Sequence, residues 1–440
     1  MPLCLAMIAL LLTVADDPAP PAWAAGLAST KSDERHATID AIEARGLAAL
    51  PLLRVIAATG PDEVRTLANE LIERISTRRL LRPTLVVLKR KDRKLTDAVA
   101  ALADASGFAI DLENVQAQDA GRKVVIGGTE PIGFFEALDR LAVAGHVRHD
   151  PSASYQVPLK LGVRVRLVPG DGTTAPSSYA GPYKVAINAL ERHREVAQAR
   201  PPAESTVRED FSVLLDVVAE PGIRIDRNGP IRLSEATDER GRDLRPASSQ
   251  DLNTNTTYRQ GSQDALGTFA YRLPLALPAE RGRTIANLRG FVPITAIART
   301  DELFSSPMEG IEGKTISGGG VSLRVTRASM TGSSGVLDAT IVGEPTPDLQ
   351  AFAAGPRQTT LATLHLGFNP DDHLRIEDAN GIPFTTSTTG TGPPMPDGST
   401  SYRVTLFAGR ATGRPAKLRY FAVAGVATEV PFDFRDLTIP

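Results

Sequence analysis

The N-terminal third of this chain is organised around Leu95-Thr96-Asp97-Ala98-Val99-Ala100-Ala101-Leu102-Ala103-Asp104-Ala105-Ser106-Gly107. Its larger apolar side chains, Leu95, Val99 and Leu102, are spaced four and three residues apart, which predicts one buried face of a helix. Apolar runs at residues 85–88 and 108–112 flank this helix and are typical of strands. The stretch therefore predicts a strand, a helix ended by Gly107 and a second strand.

The same unit occurs a second time over residues 123–148. An apolar run at 123–126 precedes a helical pattern at 131–145 in which Phe134, Leu138 and Leu141 share one face. We expect Pro131 to open this helix and Gly145 to end it. Residues 84–150 together predict a small αβ domain whose helices cover one face of a sheet.

Residues 93–110 resemble the short N-terminal domain of secretins and TonB-dependent receptors, which has a polar turn, an Ala- and Leu-rich helix ending in glycine, and a strand. The resemblance covers about residues 83–150. It implies a periplasmic module that contacts other proteins and has no catalytic residue. No secretin pore domain is recognisable after Asp150, so the module is expected here in a different envelope protein.

The basic run Lys89-Arg90-Lys91-Asp92-Arg93-Lys94 is expected in the turn before the first helix. Such a run is typical of a solvated turn, and contact with an anionic partner is the functional alternative. Nucleic acid is not expected as a partner, because no aromatic residue interleaves the run to stack a base and the net charge of the chain is −2.

Residues 1–25 predict a signal peptide and a linker. Leu3 to Val14 is apolar but too short to span a bilayer, and Ala22-Trp23-Ala24 has the small-x-small pattern of a cleavage site. The single cysteine, Cys4, lies in this leader, so no disulfide is expected afterwards. No later segment is long and apolar enough to span a membrane, which predicts a secreted or periplasmic protein with no membrane span after the leader.

Residues 26–80 predict a helical segment. The phrases Gly46-Leu47-Ala48-Ala49-Leu50-Pro51-Leu52-Leu53 and Asp62-Glu63-Val64-Arg65-Thr66-Leu67-Ala68 resemble a HEAT repeat. About one and a half repeats are visible, whereas a free-standing solenoid needs roughly three. We therefore expect HEAT-like helices that precede the αβ domain at residues 83–157.

The remainder of the chain predicts two predominantly antiparallel β-sandwich domains, at residues 158–300 and 318–440. Val163-Arg164-Val165-Arg166-Leu167-Val168 alternates apolar and basic residues and is expected as the first of many short strands. An internal echo supports two domains: strands at 231–233 and 374–376 each enter a polar turn closed by Gly241 or Gly381. This half resembles uncharacterised β-rich bacterial envelope proteins.

Candidate chemistry is sparse. His146 and His149 are three residues apart, which places them on opposite sides of a strand, and Asp371, Asp372, Asp238 and Asp243 fall in turns that aspartate favours through bonds to its own backbone. The Gly-Ser runs at 317–320 and 332–335 lack the spacing of a serine nucleophile and are expected as hairpin tips or linkers. We predict no catalytic, cofactor-binding or metal-binding residue, and no cofactor.

The sequence thus predicts a non-catalytic envelope protein that makes protein–protein contacts or acts as a scaffold, with another envelope protein as partner and an unassigned oligomeric state. Two alternatives stay open: a hydrolase with a site built from loops of the β half, and an accessory component of a secretin-type export system. Aromatic residues make up 5% of the chain, which disfavours a sugar-stacking surface.

Overall fold

The structure is a computed structural model. It describes residues 26–45, 49–150, 164–173, 175–197, 206–228, 230–246, 256–257, 268–276, 283–332, 334–343, 373–390, 399–407, 411 and 413–439. The chain divides into two compact units, Met1–Leu81 and Arg82–Pro440. The predicted leader at residues 1–25 lies outside the described residues. Of the helices in the described ranges, none has both the length and the apolar character needed to cross a membrane.

The described part of the first unit is helical. Helix α1 runs over Ser32–Arg45, α2 over Leu50–Thr59 and α3 over Asp62–Leu81. Apolar side chains from all three helices meet in one core, which includes Ile42, Leu53 and Leu71. Asp62 and Glu63 lie in the first turn of α3, where their negative charge interacts favourably with the positive end of the helix dipole.

The second unit begins with the αβ module, which contains both copies of the strand–helix–strand pattern. Its strands are β1 Leu85–Val86, β2 Lys91–Lys94, β3 Ala109–Leu112, β4 Lys123–Ile126, β5 Ile132–Gly133 and β6 Val147–His149, and its helices are α4 Leu95–Ser106, α5 Ala117–Ala120 and α6 Phe134–Gly145. Strands β1 and β2 pair antiparallel with β5 and β4. The predicted helix faces are correct, because Leu95, Leu102, Phe134, Leu138 and Leu141 are all fully buried in one core.

Two predicted helix boundaries differ from the structure. Helix α6 begins at Phe134 rather than Pro131, because Ile132 and Gly133 pair with β1. It ends with His146 in the left-handed conformation at φ 51°, whereas Gly107 does close α4 with a φ of 72°. Gly145 has a packing role instead, since a Cβ there would lie 2.6 Å from Leu95 Cδ1.

The basic run also differs from the prediction. Lys91–Lys94 form strand β2, in register with Lys123–Ile126, and are not a turn. Their charged side chains obscured the strand, because all four residues of β2 are charged and only the partner β4 contains apolar residues.

The strand expected to open the first sandwich belongs to the αβ module. Strand β7, Arg164–Pro169, lies parallel to β3 and antiparallel to β6. Its buried side chains, Val165 and Leu167, join the core of the module. The alternation correctly predicted one buried face, but it does not specify which core that face meets, so the predicted boundary at 157/158 falls too early.

The rest of the unit is built from antiparallel strands, as predicted. They are β8 Ser177–Ala180, β9 Tyr183–Ala197, β10 Thr206–Ala219, β11 Ile225–Asn228, β12 Arg232–Asp238, β13 Thr256–Thr257, β14 Thr268–Leu275, β15 Thr284–Pro307, β16 Thr315–Gly318, β17 Val321–Thr331, β18 Ser334–Val342, β19 Leu374–Glu377, β20 Thr385–Gly390, β21 Thr400–Phe407 and β22 Lys417–Thr438. Sheet I has the order β13-β14-β10-β9-β8 and sheet II the order β16-β17-β18-β21-β20. A third, shared sheet has the order β11-β15-β22-β19, with β12 also paired to β15.

Sheets I and II are built alike, which reveals an internal duplication. The first repeat consists of strands β8, β9, β10, β12, β13, β14 and β15. The second repeat consists of the strands that take the same places in the same order, β16, β17, β18, β19, β20, β21 and β22. A β-bulge also recurs. Asn188 on β9 has no ladder partner on β10, and Thr326 on β17 has none on β18. Each of these residues lies five residues after the first residue of its strand. Identical order and an identical bulge position indicate that the β-rich half is one unit used twice.

The sequence carries traces of this duplication at equivalent ladder positions. Tyr271-Arg272 on β14 matches Tyr402-Arg403 on β21, and Leu288-Arg289 on β15 matches Leu418-Arg419 on β22. The turn echo seen in the sequence is part of the same pattern, since it follows β12 and β19.

The two repeats are joined by their last strands. Strands β15 and β22 pair antiparallel from Thr284↔Thr438 to Pro307↔Lys417. Leu418 lies 130 residues after its equivalent Leu288, and Val426 lies 130 residues after Ala296, which is its own ladder partner. An approximate twofold axis therefore passes through the Ala296–Val426 pair.

This joint ribbon changes the predicted domain division. The second half of β22 pairs with the beginning of β15, so residues 430–438 lie beside the first repeat and not within a self-contained domain at 318–440. The core of the second repeat likewise includes Phe304 from β15, whose ring stacks on Tyr420 of β22 with centroids 5.0 Å apart.

Candidate functional site: the joint between the αβ module and the first repeat

A buried ion pair lies where the αβ module meets sheet I. Asp139 on α6 is 6% exposed. Lys184 Nζ on β9 donates to both of its carboxylate oxygens, at 2.7 and 2.6 Å, and Tyr179 Oη on β8 donates to Oδ2 at 2.6 Å. Two charges buried together in this way satisfy one another, as buried charges must.

A second buried carboxylate lies at the far end of β10. Glu220 accepts hydrogen bonds from Thr84 N at 2.9 Å and Thr84 Oγ1 at 2.6 Å. The nearby Val218 side chain belongs to the core of the αβ module. The joint thus combines one apolar contact with two carboxylates. Each carboxylate forms hydrogen bonds between the αβ module and the first repeat.

Two titratable side chains at the joint, Tyr179 and His149, have shifted pKa values. Burial raises the pKa of Tyr179, and the negative charge of Asp139 raises it further, so the hydroxyl remains a donor. Burial lowers the pKa of His149 to about 3, with a smaller contribution from the positive charge of Lys184. His149, whose ring centroid is 6.2 Å from that of Phe135, is therefore neutral near pH 7.

This arrangement holds elements together rather than presenting a reactive group. General acid–base catalysis requires a group within hydrogen-bond reach of a substrate proton. Here both oxygens of Asp139 are engaged by Lys184 and one also by Tyr179, and both oxygens of Glu220 are engaged by Thr84. The geometry fits a rigid connection between the αβ module and the first repeat.

The histidines lie in separate places. His146 caps α6, His149 belongs to β6 and His193 is exposed on β9. His36 Nδ1 lies 2.9 Å from the Ser32 carbonyl, and His373 Nδ1 donates to the Phe421 carbonyl at 2.8 Å. Across the described ranges, three His, Cys, Asp or Glu side chains never come together in a way that could hold a metal ion. His365 lies outside those ranges.

The acidic turns have a structural role wherever the structure describes them. Asp238 Oδ1 accepts the backbone N–H groups of Arg240 and Arg242, each at 2.9 Å. Burial acts to raise the pKa of Asp238, but these bonds and the Arg242 side chain outweigh it and hold the pKa below its usual range. Asp378 accepts from Asn380 and Ile382 in the same way. Asp243 pairs with Arg245, whereas Asp371 and Asp372 lie outside the described residues.

The Gly-Ser runs are hairpin tips. Ser317 and Gly318 end β16 and the next two glycines turn the chain into β17, while Gly332 lies between β17 and β18 with a φ of 62°. Ser333 is not among the described residues. Residues 170–173, Gly-Asp-Gly-Thr, form a further turn, in which Asp171 Oδ1 accepts from Thr173 N at 2.9 Å and from its hydroxyl at 2.6 Å.

The roles of Lys184, Tyr179, Glu220 and Thr84 are not recognisable from the sequence, because nothing near them in the chain indicates a partner forty or more residues away. Asp139 did carry a signal. It lies four residues after the buried Phe135, on the apolar face of α6, where a carboxylate needs a partner.

No known protein family, curated protein or solved structure matches this chain.

Proposed function

We propose that this protein is a secreted or periplasmic, non-catalytic component of the cell envelope that makes protein–protein contacts or acts as a scaffold. In finer terms, residues 26–80 are HEAT-like helices and residues 83–157, with β7, form a domain like the short N-terminal domain of secretins and TonB-dependent receptors. The β-rich half forms two β-sandwiches, and the partner is another envelope protein.

The observation that carries the proposal is the joint. A module that contacts a partner can position that partner only if it is held in one orientation on its support. The bonds of Asp139 to Lys184 and Tyr179 supply such an orientation, because a buried charge pair has strict geometric requirements whereas an apolar contact tolerates sliding. The paired last strands of the repeats add a support that spans both copies.

The envelope location rests on the apolar stretch from Leu3 to Val14 and the small-x-small pattern at Ala22-Trp23-Ala24. Cell fractionation together with N-terminal sequencing of the recovered protein tests it. We expect recovery outside the cytoplasm with an N-terminus after residue 14. An uncleaved protein confined to the cytoplasm would refute this part of the proposal.

The contact function is tested by chemical cross-linking in the native envelope, followed by affinity purification of the wild type and of Asp139→Asn. We expect the wild type to recover a defined envelope protein, and Asp139→Asn to recover less of it although it is still folded at the growth temperature. Recovery of no partner, together with cleavage of a chromogenic ester or glycoside by the purified protein, would instead favour the hydrolase alternative.

A further inference from the structure

The outward face of the β2–β4 ribbon has an unusual composition. We call this the ribbon face: the exposed side chains of β2 and β4 together with those of β1, which pairs with β5, and of the β1–β2 link. The Gly128 N–H donates to the Leu88 carbonyl at 2.9 Å, which brings this link beside the end of β4. Val125 on β4 is 55% exposed, Leu85 on β1 is 60% exposed and Val87 just after β1 is 54% exposed. The inward side chains Val86 and Val124 are already buried in the core of the module. A strand with one solvated face normally alternates apolar and polar residues, whereas here aliphatic side chains lie on both faces.

Cations outnumber carboxylates in this part of the chain. On the outward face of the ribbon, Lys94 and Lys123 lie with Asp92, which is the ladder partner of Val125, whereas Lys91 and Arg93 are partners of the inward Ile126 and Val124. The cations of this part of the chain are Lys89, Arg90, Lys91, Arg93, Lys94 and Lys123, and the carboxylates are Asp92 on β2 and Glu130 in the link from β4 to β5. Lys94 and Lys123 are direct ladder partners, so two like charges face each other across the ribbon. Asp92 lies 3.8 Å from Lys123 in an exposed pair, which offsets little of that repulsion.

We infer that the ribbon face binds an acidic, extended segment of a partner protein in which carboxylates alternate with aliphatic residues. This inference rests on the proposed contact function and assigns its surface. An extended segment presents side chains with a period of two, which matches the spacing of side chains along β4. Its carboxylates would relieve the Lys94–Lys123 repulsion, and its aliphatic side chains would cover Val125 and Val87.

A polypeptide fits this surface better than a nucleic acid. The exposed apolar side chains of the ribbon face are aliphatic, so they provide no ring on which a base could stack. A phosphate backbone would satisfy the lysines and leave Leu85, Val87 and Val125 exposed to water.

The first test measures binding of a fluorescent peptide of four Glu-Val repeats to the full chain. A Lys-Val peptide, a Glu-Ser peptide and a single-stranded DNA oligonucleotide serve as competing probes. We expect the Glu-Val peptide to bind most tightly, with an affinity that falls as salt is added. We also expect Lys123→Glu and Val125→Ser each to weaken it by about tenfold.

Two matched variants control for charge and for apolar exposure elsewhere. Lys314→Glu changes an exposed lysine between β15 and β16, and Val143→Ser changes an exposed valine on α6. Both should bind the Glu-Val peptide as the wild type does, with circular dichroism confirming that every variant is folded. The inference is wrong if the Glu-Val peptide fails to bind, if Glu-Ser or DNA binds equally well, or if Val125→Ser has no effect.

Photo-cross-linking in the envelope separates failure of this surface from failure of the contact function. A photoreactive residue is placed at Val125 in one variant and at Val342 on β18, which is also exposed, in another. Cross-links from Val125 to a partner at an acidic, aliphatic segment support the inference. Cross-links from Val342 alone would overturn it and leave the proposed contact function standing.

Discussion

Asp139 and Lys184 illustrate what burial does to charge in this protein. Their side chains are almost inaccessible to water, so each has exchanged hydration for the other's charge. Such a pair often contributes little net stability relative to an apolar pair, yet removal of one partner strands the other charge in a poorly solvated place. The joint is therefore more sensitive to single substitutions than its size suggests.

Lys184→Met should lower the free energy of unfolding by about 3–5 kcal/mol, because it leaves the Asp139 carboxylate buried without its cation. Urea denaturation followed by circular dichroism measures the loss. The double variant Asp139→Leu/Lys184→Met should recover most of it. Arg140→Ala, which removes a solvent-exposed partner of Glu136 on the same helix, should cost less than about 1 kcal/mol and serves as the control. Equal losses in the two single variants would contradict the role assigned to the joint.

His149 predicts a pH dependence whose sign follows from its lowered pKa. In the unfolded chain an imidazole takes up a proton near pH 6.5, whereas in the folded protein the pKa is about 3. Between these values the unfolded state binds more protons, so stability is fully present above about pH 6.5 and falls as the pH is lowered towards 3. Unfolding midpoints of the wild type and His149→Gln should therefore diverge below pH 6.5, with the variant less sensitive. The exposed His193→Gln should follow the wild type, and parallel curves for all three proteins would disprove the assignment.

Tyr420 and Tyr179 form a contrasting pair. Tyr420 is fully buried, and its hydroxyl has no hydrogen-bond partner in the described part of the chain. Tyr420→Phe should thus leave the free energy of unfolding unchanged or raise it by up to about 1 kcal/mol, since an unsatisfied buried hydroxyl carries a cost. Tyr179→Phe should lower it by about 1–3 kcal/mol, because it removes a bond to a charged carboxylate. Thermal melts of the two variants measure these changes. A larger loss of stability for Tyr420→Phe than for Tyr179→Phe would show that the Tyr420 hydroxyl is hydrogen-bonded.

At the scale of single elements, the two aspartate turns show how one device is used twice. In each, the aspartate backbone N–H donates to the carbonyl four residues on, and the glycine N–H donates back to the aspartate carbonyl. Gly241 and Gly381 both have a φ of 74°, which glycine adopts without strain. The chain then returns through a buried apolar residue, Leu244 in the first repeat and Phe384 in the second.

Asp238→Ala and Asp378→Ala should each lower the free energy of unfolding by about 1–3 kcal/mol, because two backbone N–H groups lose their acceptor. Denaturant titrations of the two variants measure this. Asn at either position keeps one acceptor oxygen and should retain most of the stability. If one alanine variant were neutral while the other was severe, the two turns would not be equivalent.

At the scale of the whole β-rich half, the last strand of each repeat supports the other repeat. Phe432 on β22 is the ladder partner of Gly290 on β15, and a Cβ at Gly290 would lie 2.8 Å from Phe432 Cζ, so the absence of a side chain there allows the ring to lie close. A residue near the end of the second repeat thereby completes the packing around the first.

Phe432→Ala should therefore loosen the first repeat, with a loss of about 3–5 kcal/mol from a buried aromatic side chain. Hydrogen exchange should increase in β12 and in the first half of β15, while β17 and β18 keep their protection. Leu323→Ala on β17 provides the reciprocal control, because it should affect sheet II first. Increased exchange confined to sheet II in the Phe432 variant would mean that residues 318–440 form a separate domain after all.

Much of the local structure was predictable because it depends on residues close together in the chain. The spacing of Leu95, Val99 and Leu102 was enough to place α4, and Gly107 closes it in the conformation that glycine favours. The echo between Gly241 and Gly381 identified the repeated turn. Strand β2 was missed because its four residues are all charged, and the role of Gly145 was missed because it depends on contact with Leu95, fifty residues earlier.

The kinds of element in this protein follow from local sequence: the helices of residues 32–81, the two strand–helix–strand copies, and an antiparallel β-rich remainder. Helix faces and strand alternation are local patterns, so they are legible without a fold. Long-range packing sets three further features: β7 joins the αβ module, Asp139 meets Lys184, and β15 and β22 pair across an approximate twofold axis. The physical reason is that an alternating pattern specifies that a face is buried, whereas the partner of that face is selected by packing and hydrogen bonding between residues far apart in the chain.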